Sequence, residues 1–167
     1  MVAETNLIPA NVLRYLRKIR GKKALLFTGS RAVGNAMFNS DWDFFILLED
    51  KFPEWRKTLL VDKHLVEIFC INQKDLLEDF DDDIKDGRGI TITMLATSII
   101  IDDSNGTLQS ITHQANKLWH NGPSALTKED KDWIGYDVTN YIYDIEDCLH
   151  DHNKVISLFN HATEEFV

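Results

Sequence analysis

Residues 24–50 read ALLFTGSRAVGNAMFNSDWDFFILLED, and the rest of the chain is organised around them. The apolar run Ala24–Phe27 has the length and flanks of a buried strand. Thr28, Gly29 and Ser30 break it, and a short segment with helical spacing (Ala32, Ala36, Met37) follows. A second apolar run, Trp42–Leu48, carries Asp41 and Asp43 at its start. Residues two apart on a strand share a face, so the two carboxylates project side by side at the lip of a sheet, close to the Gly-Ser turn. Like charges held that close are costly unless a cation sits between them. Hard oxygen ligands of this kind suit Mg²⁺, which is commonly held by one or two carboxylates plus substrate phosphates. Gly29 lets the backbone approach an anion, and Ser30 offers a hydroxyl at the predicted start of a helix, where free N–H groups favour negative charge. A Gly-Ser pair alone is only a turn, and a lone Asp-x-Asp is commonly a solvated strand edge. Both in order, each at the end of a strand, read as a metal–triphosphate cradle.

This stretch resembles the nucleotidyltransferase superfamily that includes DNA polymerase beta. The matching residues are Gly29-Ser30, the spacer Arg31–Ser40, and Asp41-Trp42-Asp43. The fuller form, GSRAxG…SDxD, is most similar to small bacterial nucleotidyltransferases: aminoglycoside adenylyltransferases and minimal nucleotidyltransferase antitoxins. The resemblance implies a mixed β-sheet nucleotidyltransferase core (α+β) with helices on one face, followed by a short C-terminal helical segment. It also implies two Mg²⁺ ions on Asp41 and Asp43, and ATP or another NTP bound by Gly29, Ser30, Arg31 and Ser40. A third carboxylate is expected on a strand beside the Asp-x-Asp strand, and Glu67 is the candidate. The resemblance is specific for 24–50, moderate to Asn121 and vague beyond.

Glu67 interrupts the strand-like run His64–Ile71, in which Leu65, Glu67 and Phe69 share one face and His64, Val66, Ile68 and Cys70 the other. A lone carboxylate in so apolar a strand is expensive to bury unpaired. The metal pair on Asp41 and Asp43 is the concentrated positive charge expected nearby, which places the Glu67 carboxylate about 4–6 Å from Asp43. An edge-strand Glu facing water is the plainer alternative.

The chain has 167 residues, 44% hydrophobic and 27% charged, enough for one cored domain with a small helical appendage. No apolar run reaches the length of a membrane span, and Met1–Ala10 lacks the regions of a signal peptide, so a cytoplasmic location is expected. Cys70 and Cys148 lack metal-type spacing and are expected to be buried thiols. The net charge of −9 disfavours a nucleic-acid partner, whose phosphates call for a basic surface. It suits a cationic small molecule or a basic protein patch.

Asn11–Arg20 reads as an amphipathic helix ended by Gly21, with a basic outer face. Thr58–Val61 and His64–Ile71 around Asp62-Lys63 suggest an antiparallel hairpin. A helix is expected over Gln73–Asp86 with Leu76, Leu77, Phe80 and Ile84 inward. Ile90–Met94 is open between strand and helical turn, Ser98–Ile101 reads as a buried strand, and Leu108–Trp119 as a helix. Asn121-Gly122-Pro123 divides a domain 1–122 from a helical segment 123–167. There Thr127 and Asp130 form a near capping box ahead of a helix reaching about His150, and a second helix is expected over Val155–Phe166. Helices this short need the first part or another subunit to pack on, so a homodimer through them is an expectation.

The function expected from these residues is transfer of a nucleoside monophosphate, AMP from ATP by analogy, to a hydroxyl of a small molecule or protein, releasing pyrophosphate. Glu67 would complete the metal site and accept the hydroxyl proton. The alternative is a catalytically inactive nucleotide-binding or antitoxin-type interaction protein that keeps the fold.

Overall fold

A computed structural model describes residues 7–151 and 154–155. The chain forms two compact units, Met1–Ser124 and Ala125–Val167.

In the first unit, five strands form one mixed sheet: β1 (Lys22–Thr28), β2 (Trp42–Leu48), β3 (Trp55–Val61), β4 (His64–Asn72) and β5 (Ile99–Asp103). Their order is β3-β4-β2-β1-β5. β2 and β4 run parallel, and every other pair is antiparallel. The three strands expected around the motif are therefore neighbours at the centre. β2 is buried along almost its whole length, because both faces of its run Trp42–Leu48 are apolar and both are covered.

Period-two alternation sorts these strands into two cores. Leu25, Phe27, Phe44, Ile46, Leu48, Val66, Ile68 and Cys70 face α1 (Ala10–Leu16), which buries Val12, Leu13 and Leu16 against them. Ala24, Leu26, Phe45, Leu47 and Ile71 face the other way. They meet Leu76 and Phe80 of α3 (Gln73–Asp86), Ile92 and Leu95 of α4 (Ile90–Ala96), and Leu108, Ile111 and Ala115 of α5 (Thr107–Asn121). Each Val, Leu, Ile or Phe side chain among them taken fully out of water contributes about 1.5–3 kcal/mol against the entropy of ordering the chain. Three helices thus cover one face as the sequence predicts, and α1 adds cover to the other.

Several boundaries differ from expectation for local reasons. The first helix ends at Leu16 instead of Arg20. Lys18 and Ile19 donate to carbonyls three residues back, which tightens the chain, and Gly21 at φ +78° turns it into β1. Gly21 has a steric role as well, since a Cβ there would meet the Phe52 ring at 2.3 Å. The 90–94 segment is helical. β5 is a half-buried edge strand, not a fully buried one, and Asp102 in it pairs with Lys22. The hairpin turns on Asp62-Lys63, with Asp62 at φ +55° supplying the left-handed residue a two-residue turn needs. Cys70 is buried, which pushes its thiol up to about 12, whereas Cys148 is only partly covered.

The second unit holds α6 (Lys128–His150), a helix 23 residues long. Thr127 accepts from the Asp130 N–H while the Asp130 carboxylate accepts from the Thr127 N–H, a complete capping box. Its apolar side chains, including Trp133, Ile134, Ile142, Ile145 and Leu149, are exposed. The second C-terminal helix, expected over 155–166, falls almost wholly outside the described residues. Among the described residues no helix is long and apolar enough to cross a membrane.

Candidate metal and nucleotide site

The turn after β1 and the start of β2 meet because the two strands are paired, with Thr28 opposite Asp43. Parallel pairing of β2 with β4 sets Asp43 opposite Glu67, and the β3–β4 hairpin sets Glu67 opposite Thr58. Thr28, Asp43, Glu67 and Thr58 therefore form one row across a single face of the sheet. Asp41, two residues before Asp43, adds its carboxylate to the same face. Asp41, Asp43 and Glu67 each present an oxygen within 4.8 Å of the other two. No regular strand packing requires three carboxylates to converge there.

Asp43 is the most confined of the three, 9% exposed. Its Oδ2 lies 2.0 Å from the point where a Cβ on Gly29 would stand, and Gly29 takes φ +74°. Only glycine permits both that backbone conformation and that approach. Burial pushes the Asp43 carboxyl up from 3.8 to about 6, helped by the charges of Asp41 and Glu67, while Arg56 and Arg31 pull it the other way. A carboxylate so placed is short of positive charge. The donor set is all oxygen, and it fits a hard divalent ion such as Mg²⁺.

Gly29–Ala32 forms one helical turn, α2, and the helical spacing at Ala36 and Met37 is not carried into a helix. Among the described residues the Ser30 hydroxyl has no hydrogen-bond partner. Below the turn, buried Thr28 donates through its hydroxyl to the Met94 carbonyl at 2.5 Å, tying the end of β1 to α4.

Arg31 and Ser40 have structural work in this geometry. Arg31 donates through Nε to the carbonyls of Ser40 (3.1 Å) and Asp41 (2.9 Å), and through Nη2 to Ser40 (2.6 Å). Its guanidinium lies over the Trp42 ring at 4.6 Å. Ser40 Oγ accepts from the Met37 N–H at 2.8 Å. Both residues thus pin the loop that delivers Asp41.

Arg56 is the residue that reading the sequence missed. From β3 it donates through Nε (2.9 Å) and Nη2 (2.8 Å) to Glu67 Oε1, to which the Thr58 hydroxyl adds a 3.3 Å contact. The positive charge beside Glu67, expected from metal alone, comes from the protein's own Arg56. The available signal was the hairpin itself, since Arg56 lies opposite Phe69, one diagonal step from Glu67. His64 lies on the other face with Val66, edge-on to Trp42.

One row further along this face, Phe45 stacks on Phe69 at 5.0 Å and Arg56 lies over Phe69 at 4.6 Å. These three residues, with Ile90, Met94 and the carboxylates Glu54 and Asp79, line a cavity of about 310 Å³. Asp79 is held above the usual carboxylate range by burial and by its acidic neighbours, Glu54 foremost.

No protein-family model matches the chain, and no curated protein matches it in sequence. In fold the chain is similar to a nucleotidyltransferase-like protein from Exiguobacterium sibiricum 255-15, with a TM-score of 0.47 and 13% sequence identity. That similarity covers 67% of this chain and 37% of the other, and it is a likeness of fold.

Proposed function

We propose that this protein is a divalent-metal-dependent nucleotidyltransferase that moves AMP from ATP to a hydroxyl acceptor. One observation carries the reading: Asp41, Asp43 and Glu67 converge within 4.8 Å on one sheet face, against the Gly29-Ser30 turn. Asp41 and Asp43 would hold Mg²⁺, with Glu67 completing the site. When bound, the ions supply charge neutralisation for the attacking and leaving oxygens of an in-line displacement.

The chain's own residues account for the remaining tasks. The Gly29 backbone and the Ser30 hydroxyl face the triphosphate. The acceptor oxygen forms a bond to the α-phosphorus as the bond to the bridging oxygen breaks, and pyrophosphate leaves. The acceptor's proton passes to Glu67 through Oε2, since Oε1 is committed to Arg56 and Thr58. The cavity floored by Phe45 and Phe69 is wide enough for a base or an acceptor ring. The net charge of −9 favours an acceptor bearing positive charge, on a small molecule or on a protein side chain. A second copy, or a helical protein, would cover the exposed apolar residues of α6.

The test is incubation with α-labelled ATP, Mg²⁺ and a panel of hydroxyl acceptors, following both label transfer and pyrophosphate. Transfer that is lost on chelation and in Asp41→Asn and Asp43→Asn supports the reading. Near-native transfer by Asp43→Asn with Mg²⁺ present would overturn it. Tight ATP binding with no transfer to any acceptor supports instead a nucleotide-binding protein without turnover.

A further inference from the structure

We propose that Arg56 is a counter-cation that disfavours a lone divalent ion at the carboxylate cluster and passes to the phosphates when the ion arrives with a nucleotide. The inference rests on reading Asp41, Asp43 and Glu67 as a metal site, as above. Three observations support it.

First, Arg56 addresses only one oxygen of Glu67. Both of its donors, and Thr58, converge on Oε1, and among the described residues Oε2 receives no hydrogen bond. Glu67 is thus oriented by the hairpin while its second oxygen is left without a hydrogen bond. Second, the carboxylate that Arg56 grips is no isolated group, since Asp41, Asp43 and Glu67 each present an oxygen within 4.8 Å of the other two. One guanidinium therefore offsets repulsion within the whole cluster. Third, Arg56 is free to change partner. Its side chain is 65% exposed, against 15% for Glu67, and it rests on the Phe69 ring without being enclosed.

A divalent ion bound through Glu67 would stand about 5 Å from this guanidinium. Repulsion between a double and a single positive charge at that distance lowers affinity by about tenfold even at the dielectric of water. A nucleoside triphosphate reverses the sign, because its oxygens offer the planar guanidinium fork a geometry as good as a carboxylate's. The site would then fill with metal and nucleotide together, and a bare ion would gain little.

Mn²⁺ serves as the probe, with free ion counted by electron paramagnetic resonance and no turnover required. Wild type, Arg56→Gln, Arg56→Lys and Asp43→Asn are titrated with Mn²⁺ alone, then with Mn²⁺ and a non-hydrolysable ATP analogue. Circular dichroism confirms the fold of each variant. Arg56→Gln, which keeps a donor and loses the charge, is expected to bind bare Mn²⁺ about tenfold tighter than wild type. It should bind the Mn²⁺–nucleotide complex about tenfold more weakly. Arg56→Lys should stay within about threefold of wild type for the bare ion. If Arg56→Gln binds bare Mn²⁺ no tighter than wild type, Arg56 merely orients Glu67 and the proposal falls. If wild type shows no saturable Mn²⁺ binding that Asp43→Asn removes, either alone or with the nucleotide analogue, the metal reading of the cluster falls with it.

Discussion

The Oδ2 atom of Asp43 stands 2.0 Å from where a side chain on Gly29 would begin. The Gly29-Ser30 turn and the Asp43 carboxylate are therefore one packed unit, joined by the pairing of Thr28 with Asp43. Moving either residue moves the other.

Gly29→Ala should accordingly cost both stability and function. The left-handed φ of +74° costs an alanine about 1–2 kcal/mol, and the new methyl must displace the Asp43 carboxylate. The expected outcome is a folded protein with a lowered unfolding midpoint and Mn²⁺ affinity reduced at least tenfold. Unchanged metal affinity would mean that the close approach has no functional weight.

Asp43→Asn should stabilise the metal-free protein at neutral pH. The folded-state carboxyl titrates at about 6 and a free carboxyl at 3.8, so the native state holds its proton more tightly than the unfolded chain. Stability contributed by the neutral form is present below about pH 4 and is lost as pH rises through 6. The asparagine keeps the shape without that loss, so a gain of roughly 2–3 kcal/mol is expected at pH 8 and almost none at pH 4. Urea unfolding at the two pH values measures it, and equal gains at both would contradict the assignment.

In wild type the same titration sets a pH limit on metal binding. Protonation of Asp43 competes with the ion, so Mn²⁺ affinity should fall steadily as pH drops through about 6. A titration series from pH 5 to pH 8 reads this directly. A flat profile would show that Asp43 is not a ligand.

Glu67→Gln keeps the packing and removes the charge. If Glu67 takes the acceptor's proton, turnover should fall by about 10²-fold or more and stay low at any Mg²⁺ concentration. Recovery of the rate with added Mg²⁺ would instead assign Glu67 to metal binding alone.

Arg31→Ala should act through the loop and not through phosphate contact. Arg31 holds the carbonyls of Ser40 and Asp41 and covers Trp42. Its loss should speed amide exchange across the segment leading into β2 and weaken metal binding. A selective rise in the KM for ATP, with unchanged exchange in that segment, would show direct phosphate contact instead.

Much of this arrangement is local and so is legible in the order of residues. Periods of two and of about 3.6 mark which side chains share a face, and they locate the β1–turn–β2 stretch, α3, α5 and the Thr127–Asp130 cap without any long-range information. By period two, Asp41 and Asp43 had to lie on one face. The helical spacing of Ala32, Ala36 and Met37 is not carried past Ala32, because Arg31 fastens the loop that follows onto the carbonyls of Ser40 and Asp41. The length of the first helix was likewise a tertiary matter, since the chain had to turn early to place Ile19 and Gly21 against the sheet.

Local spacing is enough to specify the strands, the paired carboxylates and the glycine beside them, because each depends on residues a few positions apart. Tertiary structure alone decided three things. It set Asp43 opposite Glu67 in a parallel pair that skips over β3, brought Arg56 across the hairpin to Glu67, and removed water from Asp43. Strand order and register arise from how whole faces pack, and a charge's environment is the sum of what that packing brings near it.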